Sequence, residues 1–247
     1  WNLSRDSRIF PADLAAIQAA GLSVNNLGTG TRFARPEEST VFEIGLKARF
    51  EKGALNVAIF DQRIEGFQSN IFTGLGFNLA NAGEQSTTGF EFDGTYYPNE
   101  NLQLTLAGTW MDPVYDSFVS AAGVLGPEDL SGTAPAGIHD LSVVASATYT
   151  KELANGWQGF ARGNYLFEDK VRTNENVPAF AGFREVSVIN ASIGMSHDNG
   201  WDVIVWGRNL TDDDYLLSSA PVPFQAGSFL GYANAPRTYG VTVKKDF

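Results

Sequence analysis

Residues 40–50 read Thr-Val-Phe-Glu-Ile-Gly-Leu-Lys-Ala-Arg-Phe. Successive side chains of an extended chain point to opposite sides, so Phe42, Ile44, Leu46, Ala48 and Phe50 share one face. Glu43, Gly45, Lys47 and Arg49 share the other. The same period-two beat returns at 54–62, 88–97, 102–110, 141–149, 157–167, 188–196, 201–209 and 237–247. It predicts an all-β chain of about nine strands.

The connections decide how those strands are arranged. Short polar turns fall at 51–53, 98–101, 151–156 and 197–200, and long Gly/Pro/Asn/Asp-rich connections at 69–85, 112–137, 168–182 and 211–233. Structureless connections beyond about 12–15 residues are uncommon in compact domains. Strict alternation of tight turns with long loops is the build of an antiparallel up-and-down transmembrane β-barrel, trimmed at its periplasmic end and elaborated outside the cell. A soluble sandwich shows similar alternation, so two further features matter. Aromatics sit near strand ends (Phe50, Tyr96, Tyr97, Trp110, Tyr149, Trp157, Tyr165, Trp201, Tyr239), as interfacial girdles require. The polar face carries small residues, assigned as Gly45, Gly89, Gly163, Gly194 and Gly240, in place of long solvated charges. On this reading Leu102, Leu104, Leu106, Val203, Val205, Val241 and Val243 meet lipid. Glu43, Lys47, Arg162 and Arg208 face a lumen.

Composition narrows the chemistry. The chain has 247 residues, 17 Lys+Arg against 28 Asp+Glu, and a net charge of −11, so there is no basic stripe for nucleic acid. It has no Cys and only two His, which excludes thiolate sites and leaves little for a histidine metal centre. No metal site and no cofactor are expected. Asp212–Asp214 reads as a solvated acidic turn more than as a calcium loop. Glu91 with Asp93, and His139 with Ser142, lack any elbow, oxyanion or substrate context, so no catalytic residue is assigned and the chain is not read as an enzyme. Residues 11–20, with Pro11 at the first turn, Asp13 near the positive end and Gly21 as a stop, predict a short helix. No apolar stretch nears the roughly 20 residues of a membrane helix.

Four stretches in order carry a family resemblance: Arg35-Pro36-Glu37-Glu38 into 39–47; Asn81-Ala82-Gly83-Glu84 into 88–93; Gly207-Arg208-Asn209-Leu210-Thr211-Asp212-Asp213-Asp214-Tyr215; and Ala235-Pro236-Arg237-Thr238-Tyr239-Gly240-Val241 running to Phe247. They resemble the C-terminal part of a TonB-dependent outer-membrane receptor barrel. The resemblance implies about nine strands of a barrel of about 22. Residues 1–37 would then be an extracellular loop with a short helix, and 38–247 the C-terminal barrel strands, with the plug domain absent.

It further implies an outer-membrane transport receptor for a scarce nutrient (an iron–siderophore, cobalamin or an oligosaccharide), energised by TonB through that plug. Membrane lipid, lipopolysaccharide and the barrel-assembly machinery are the other implied partners. The assembly signal would be Tyr239, Val241, Val243 and Phe247, with Lys245 departing from the usual apolar residue. Ligand contacts are expected from the loop aromatics Phe72, Phe77, Tyr115, Phe118, Phe180, Tyr215, Phe224 and Phe229. The alternatives are a small outer-membrane pore or adhesin barrel, and a carbohydrate-binding β-sandwich.

Overall fold

A computed structural model describes residues 36–72, 77–81, 83–119, 121–122, 127–222, 225 and 227–246. The helix expected at 11–20, together with Phe224 and Phe247, lies outside the described residues.

Nine strands form one antiparallel sheet: β1 (Glu38–Phe50), β2 (Gly53–Glu65), β5 (Glu84–Asn99), β6 (Leu102–Ser117), β9 (Leu141–Glu152), β10 (Trp157–Arg172), β11 (Phe183–His197), β12 (Trp201–Arg208) and β15 (Thr238–Lys245). Each pairs with its neighbours in the chain's own order, a meander without a crossover. Face-packed sheets of Greek-key type are therefore excluded for the wall. Gly200 shows how tight its turns are. It sits at φ +88°, and a Cβ there would lie 2.7 Å from the Asp246 carbonyl oxygen.

Between the wall strands the chain departs from the expected irregular loops. Three two-stranded hairpins occupy them: β3 (Gln68–Phe72) with β4 (Phe77–Asn81), β7 (Ala121–Ala122) with β8 (Pro127–Glu128), and β13 (Leu216–Pro221) with β14 (Phe229–Ala233). The wall strands also overrun the expected limits at the loop end. β5 and β6 stay paired up to Glu84↔Ser117, and β10 and β11 up to Arg172↔Phe183. About 9–11 residues cross a bilayer in a tilted strand. The 16 residues of β6 and of β10 are more than such a crossing needs.

Cross-strand partners point to the same side of a sheet, so the register assigns the faces. Ile44, Ile59, Phe90, Trp110 and Leu141 form one row, and Leu102, Tyr149, Ala161, Ile193, Val205 and Val241 another on that same face. These side chains are largely uncovered, Ile44 at 75%. The opposite face carries Glu43, Lys47, Asn56, Asp93, Thr105, Ser146, Arg162 and Ser192. Here Asn56 Nδ2 donates to Asp93 Oδ2 at 2.9 Å, and the Thr105 and Ser146 hydroxyls meet at 2.6 Å. The small residues on this face have a steric cause. The Phe60 ring lies over Gly89 and Trp206 over Gly240, each within 2.6 Å of where a Cβ would stand. One assignment is corrected: Gly163 stands opposite Ala147 and Ala191, on the apolar face.

Candidate functional site

The loop end of the wall is where water-excluding packing occurs. Tyr115, at the far end of β6, and Phe118 are each 2% exposed, and they close a cluster with Ala121, Leu130 and Phe67. The Tyr115 and Phe118 rings meet edge-on at 5.0 Å, and Phe67 leans on Tyr115 at 5.9 Å. The Tyr115 hydroxyl donates to Glu175 Oε1. Burial first, and then the Glu175 carboxylate, push this phenol's pKa up, so it stays a donor. Arg172 Nη2 donates to the Glu175 carbonyl at 2.5 Å, fixing the connection after β10. Both aromatics are thus consumed by loop-on-loop packing and present no ring to solvent.

A second knot ties the start of β9 to β10 and β11. His139 Nδ1 donates to the Asp169 carbonyl at 2.9 Å, which makes Nε2 the acceptor for Arg184 Nη2 at 3.2 Å. Arg184 also binds Glu168, whose Oε2 lies 3.3 Å from His139 Nε2. His139 therefore faces Arg184 and Glu168.

The third knot is the Asn209-Leu210-Thr211-Asp212-Asp213 run. Asn209 and Asp212 hold φ of 50° and 56°, the left-handed region that Asx residues tolerate. The buried Asn209 amide donates to the carbonyls of Asp213 (2.9 Å) and Ala235 (3.1 Å). Its Oδ1 accepts from Asp213 N at 2.9 Å, and its own N–H reaches Asn190 Oδ1 at 2.9 Å. Asp213 Oδ2 accepts Ser187 N at 2.7 Å, and Asp212 pairs with Arg237 at 3.1 Å. The acidic run is thus a rim staple joining β11, β12 and β15. Among the described residues no group of three or more metal-ligating side chains occurs.

Among the loop aromatics with described side chains, Phe180 stands most open to solvent, 87% exposed in the 3-10 turn Ala179–Ala181. Phe229 of β14 meets it edge-on at 6.2 Å. The Thr173 hydroxyl bonds to Gly182 O and to Ser219, and so holds this turn against β13. Tyr215 is half-buried, its N–H donated to Asn234 Oδ1 at 3.0 Å. Phe72 and Phe77 stand opposite each other in register at the tip of β3–β4. Of the eight loop aromatics, then, the structure brings Phe180 and Phe229 together and separates them from the enclosed pair Tyr115 and Phe118. The knots of His139–Glu168–Arg184 and Tyr115–Glu175 were missed from sequence, because nothing in residue spacing links positions 16 to 60 apart on different strands and connections.

On the polar face of the wall, Arg162 Nε donates to Thr148 Oγ1 at 3.3 Å, and the Arg208 guanidinium lies 5.3 Å from the Trp206 ring. Tyr239, Val241 and Val243 share the apolar face of β15, and Lys245 at its end lies over the Trp201 ring at 5.4 Å.

Comparison with known proteins follows the geometry. A family described as TonB dependent receptor-like, beta-barrel, matches residues 7–210. No curated protein matches. Among solved structures, the ferric yersiniabactin uptake receptor of Yersinia pestis is similar with a TM-score of 0.68 at 16% identity, over 85% of this chain and 30% of that one. The siderophore receptor PiuA of Acinetobacter baumannii follows at 0.65 and 20% identity, over 85% and 28%. The ferric citrate transporter FecA is similar at 0.63 and 13% identity, over 96% of this chain and 33% of that one. The chain therefore spans about a third of the length of the receptors it matches. A meander of nine strands with one apolar and one polar face, matched by the family over residues 7–210, makes this chain a member of the TonB-dependent receptor β-barrel family.

Proposed function

We propose that the chain is part of an outer-membrane active-transport receptor that captures a scarce nutrient at the cell surface and is energised by TonB through a plug outside this chain. The observation that carries the reading is the division of the wall. An exposed apolar face backs a hydrogen-bonded polar face, and the strands overrun the bilayer into a packed cap at one end only. Uncovered Ile44 and Phe42 are costly in water and at ease in hydrocarbon. Iron–siderophore chelates come first as cargo, since relatives of this fold include siderophore receptors; cobalamin and oligosaccharides are the competing classes.

In this reading Glu43, Lys47, Arg162 and Arg208 line the lumen, and residues 38–247 are the C-terminal strands. Phe180 and Phe229 offer the ligand an aromatic edge, with Tyr215, Phe72, Phe77 and Phe224 in the same set of loops. Tyr239, Val241, Val243 and Phe247 present the last strand to the barrel-assembly machinery.

The test uses the full-length receptor in an outer-membrane host. Uptake of radiolabelled ferric chelates, cobalamin and maltooligosaccharide is compared with a host lacking TonB. One of the three should accumulate only when TonB is present. A receptor stripped of 211–233 should still assemble yet lose affinity for that compound. Uptake that survives removal of every long loop would place binding in the plug alone and overturn the role given to these aromatics.

A further inference from the structure

The ladder between β10 and β11 is broken near its loop end. Glu168 pairs with Val186 and Val171 with Arg184, so Asp169 and Lys170 stand against Glu185 alone. Such a two-against-one bulge bends a strand and interrupts its ladder. Beyond it only Val171↔Arg184 and Arg172↔Phe183 remain paired, and the chain between them, 173–182, carries Phe180. The bulge is thus a hinge, and 171–184 is the flap that swings on it.

The His139 knot is tied across this hinge. His139 Nδ1 donates to the carbonyl of Asp169, a bulge residue, at 2.9 Å. Arg184 on the flap binds Glu168 on the wall side, and its Nη2 also reaches His139 Nε2 at 3.2 Å. One contact is unfavourable as it stands. With the ring proton on Nδ1, Nε2 carries a lone pair, and Glu168 Oε2 lies 3.3 Å from it. Two acceptors face each other, reconciled by the Arg184 Nη2 that donates to both.

A proton on Nε2 reverses these relations. The repulsion becomes a charge-assisted bond from the imidazolium to Glu168. Arg184 loses its acceptor on the ring, and two cations then share one carboxylate. Arg184 is the member held least, since its Nε is buried without an acceptor among the described residues. The side chains of His139, Glu168 and Arg184 are 13%, 18% and 24% exposed, so the added charge is weakly screened while water still reaches the knot. The other charged groups of this end are engaged elsewhere or lie apart. The Asp169 carboxylate accepts Lys170 N, and Lys170 Nζ lies over the Phe183 ring at 4.5 Å. Arg172 is turned to the Glu175 carbonyl, and Glu185 alternates to the other face of β11. Asp140 adjoins the ring in the chain, and its carbonyl takes Met111 N of β6, next to Asp112, at 2.8 Å.

We propose that His139 is a proton-operated latch: neutral, it holds the flap 171–184 to the wall, and protonated, it takes Glu168 for itself and frees Arg184, so that the flap loosens at its hinge. The inference concerns the loop end alone and stands whichever cargo is carried. Tyr115 on Glu175 and Thr173 on Ser219 still tether the flap, so the response is a loosening and not a detachment.

Hydrogen exchange read by mass spectrometry tests this on the full-length receptor in detergent micelles. It is run at about pH 8 and about pH 5.5, an interval in which histidine is the side chain built to change charge. Rates are corrected for the intrinsic effect of pH. Exchange in 169–186 should rise several-fold in acid, and in 141–150 of β9 not at all. His139→Gln, which keeps an acceptor but takes no proton, should abolish the difference. Arg184→Gln, which removes the cation that the proton displaces, should show acid-level exchange at both pH values. Heat-modifiable migration identifies folded receptor, and either variant that folds suffices. A flap indifferent to pH overturns the proposal. So does a rise that persists in His139→Gln, a wild-type response in Arg184→Gln, or a rise shared equally by 141–150.

Discussion

The wall and its loop-end cap are made from the same strands, yet they are held together by different forces. In the wall, backbone ladders do the joining, and large apolar residues such as Phe42, Ile44 and Leu46 stay uncovered. In the cap, the chain buries what it has: Tyr115, Phe118, Val177 and Val186 are its largest fully buried side chains. The difference is one of solvent. A face in contact with hydrocarbon gains nothing from covering its apolar groups, whereas loops standing in water must assemble a core of their own. On the outer-membrane reading proposed above, water-style burial marks where the membrane stops. It also explains why hydrogen-bonded buried polar groups such as Asn209 and Ser219 lie at the loop end, where a packed cap must satisfy its polar groups.

The first way to break this comparison is to remove a cap residue and watch whether the wall notices. Phe118→Ala deletes a buried ring and should cost the cap about 3–5 kcal/mol. Hydrogen exchange and proteolysis of 112–133 should rise by orders of magnitude, while heat-modifiable migration stays that of a folded barrel. A wall that melts together with the cap would mean the two are one cooperative unit.

The reciprocal perturbation belongs to the wall. Leu106 lies on the apolar face, and its neighbour Ala107 on the polar face opposite Asp93. An arginine at Leu106 should cost roughly 2–4 kcal/mol near the bilayer midplane, and at Ala107 well under that. Refolding titrations of the full-length receptor into lipid vesicles measure both. Equal costs would reverse the assignment of faces.

These two sites also show how far the sequence could be read. Leu106 was assigned from alternation alone, because a strand's period of two is unmistakable over nine or ten residues, and the meander followed from turn and loop lengths. Gly163 was misassigned: a residue without a side chain carries no polarity signal, and only its partners Ala147 and Ala191 reveal its face. Phe118 and Tyr115 were read as ligand contacts because an aromatic in a loop looks the same in sequence whether it meets cargo or another loop. Of the partners that enclose them, Phe67 and Glu175 come from other connections, and Leu130 from the far side of their own. The hairpin of β13 with β14 was hidden for a similar reason, since its pairing of 216–221 with 229–233 includes a register shift that breaks simple alternation.

Between the two regions stands the rim staple. Asn209→Ala removes the amide that holds the Asp213 and Ala235 carbonyls and leaves both without this donor. A loss of about 1–3 kcal/mol is expected. It should appear as faster exchange in 209–215 and 234–237, where the end of β12 meets the start of β15. Unaltered exchange there would mean the backbone turn alone fixes the rim.

The smallest expected effect probes the wall from its polar face. Trp206 Nε1 donates to Thr242 Oγ1 at 3.1 Å, across the last strand pair, while its ring covers Gly240 and receives the Arg208 guanidinium. Trp206→Phe keeps a ring over the glycine but deletes the donor, and should cost about 0.5–1.5 kcal/mol. Thr242→Val removes the other partner. A double-mutant cycle between them isolates the bond, because both side chains share one face and the volume lost in Trp206→Phe is common to both arms of the cycle. If the polar face is wet, water replaces the lost partner and the coupling falls toward zero. If it is sealed, the orphaned group raises the coupling above about 1 kcal/mol. The sign of the comparison between wall and cap follows from that number. A near-zero coupling says the wall's polar face behaves as a water-lined lumen. A large one says that it is packed as the cap is, and that the division between the two regions is drawn at the apolar face alone.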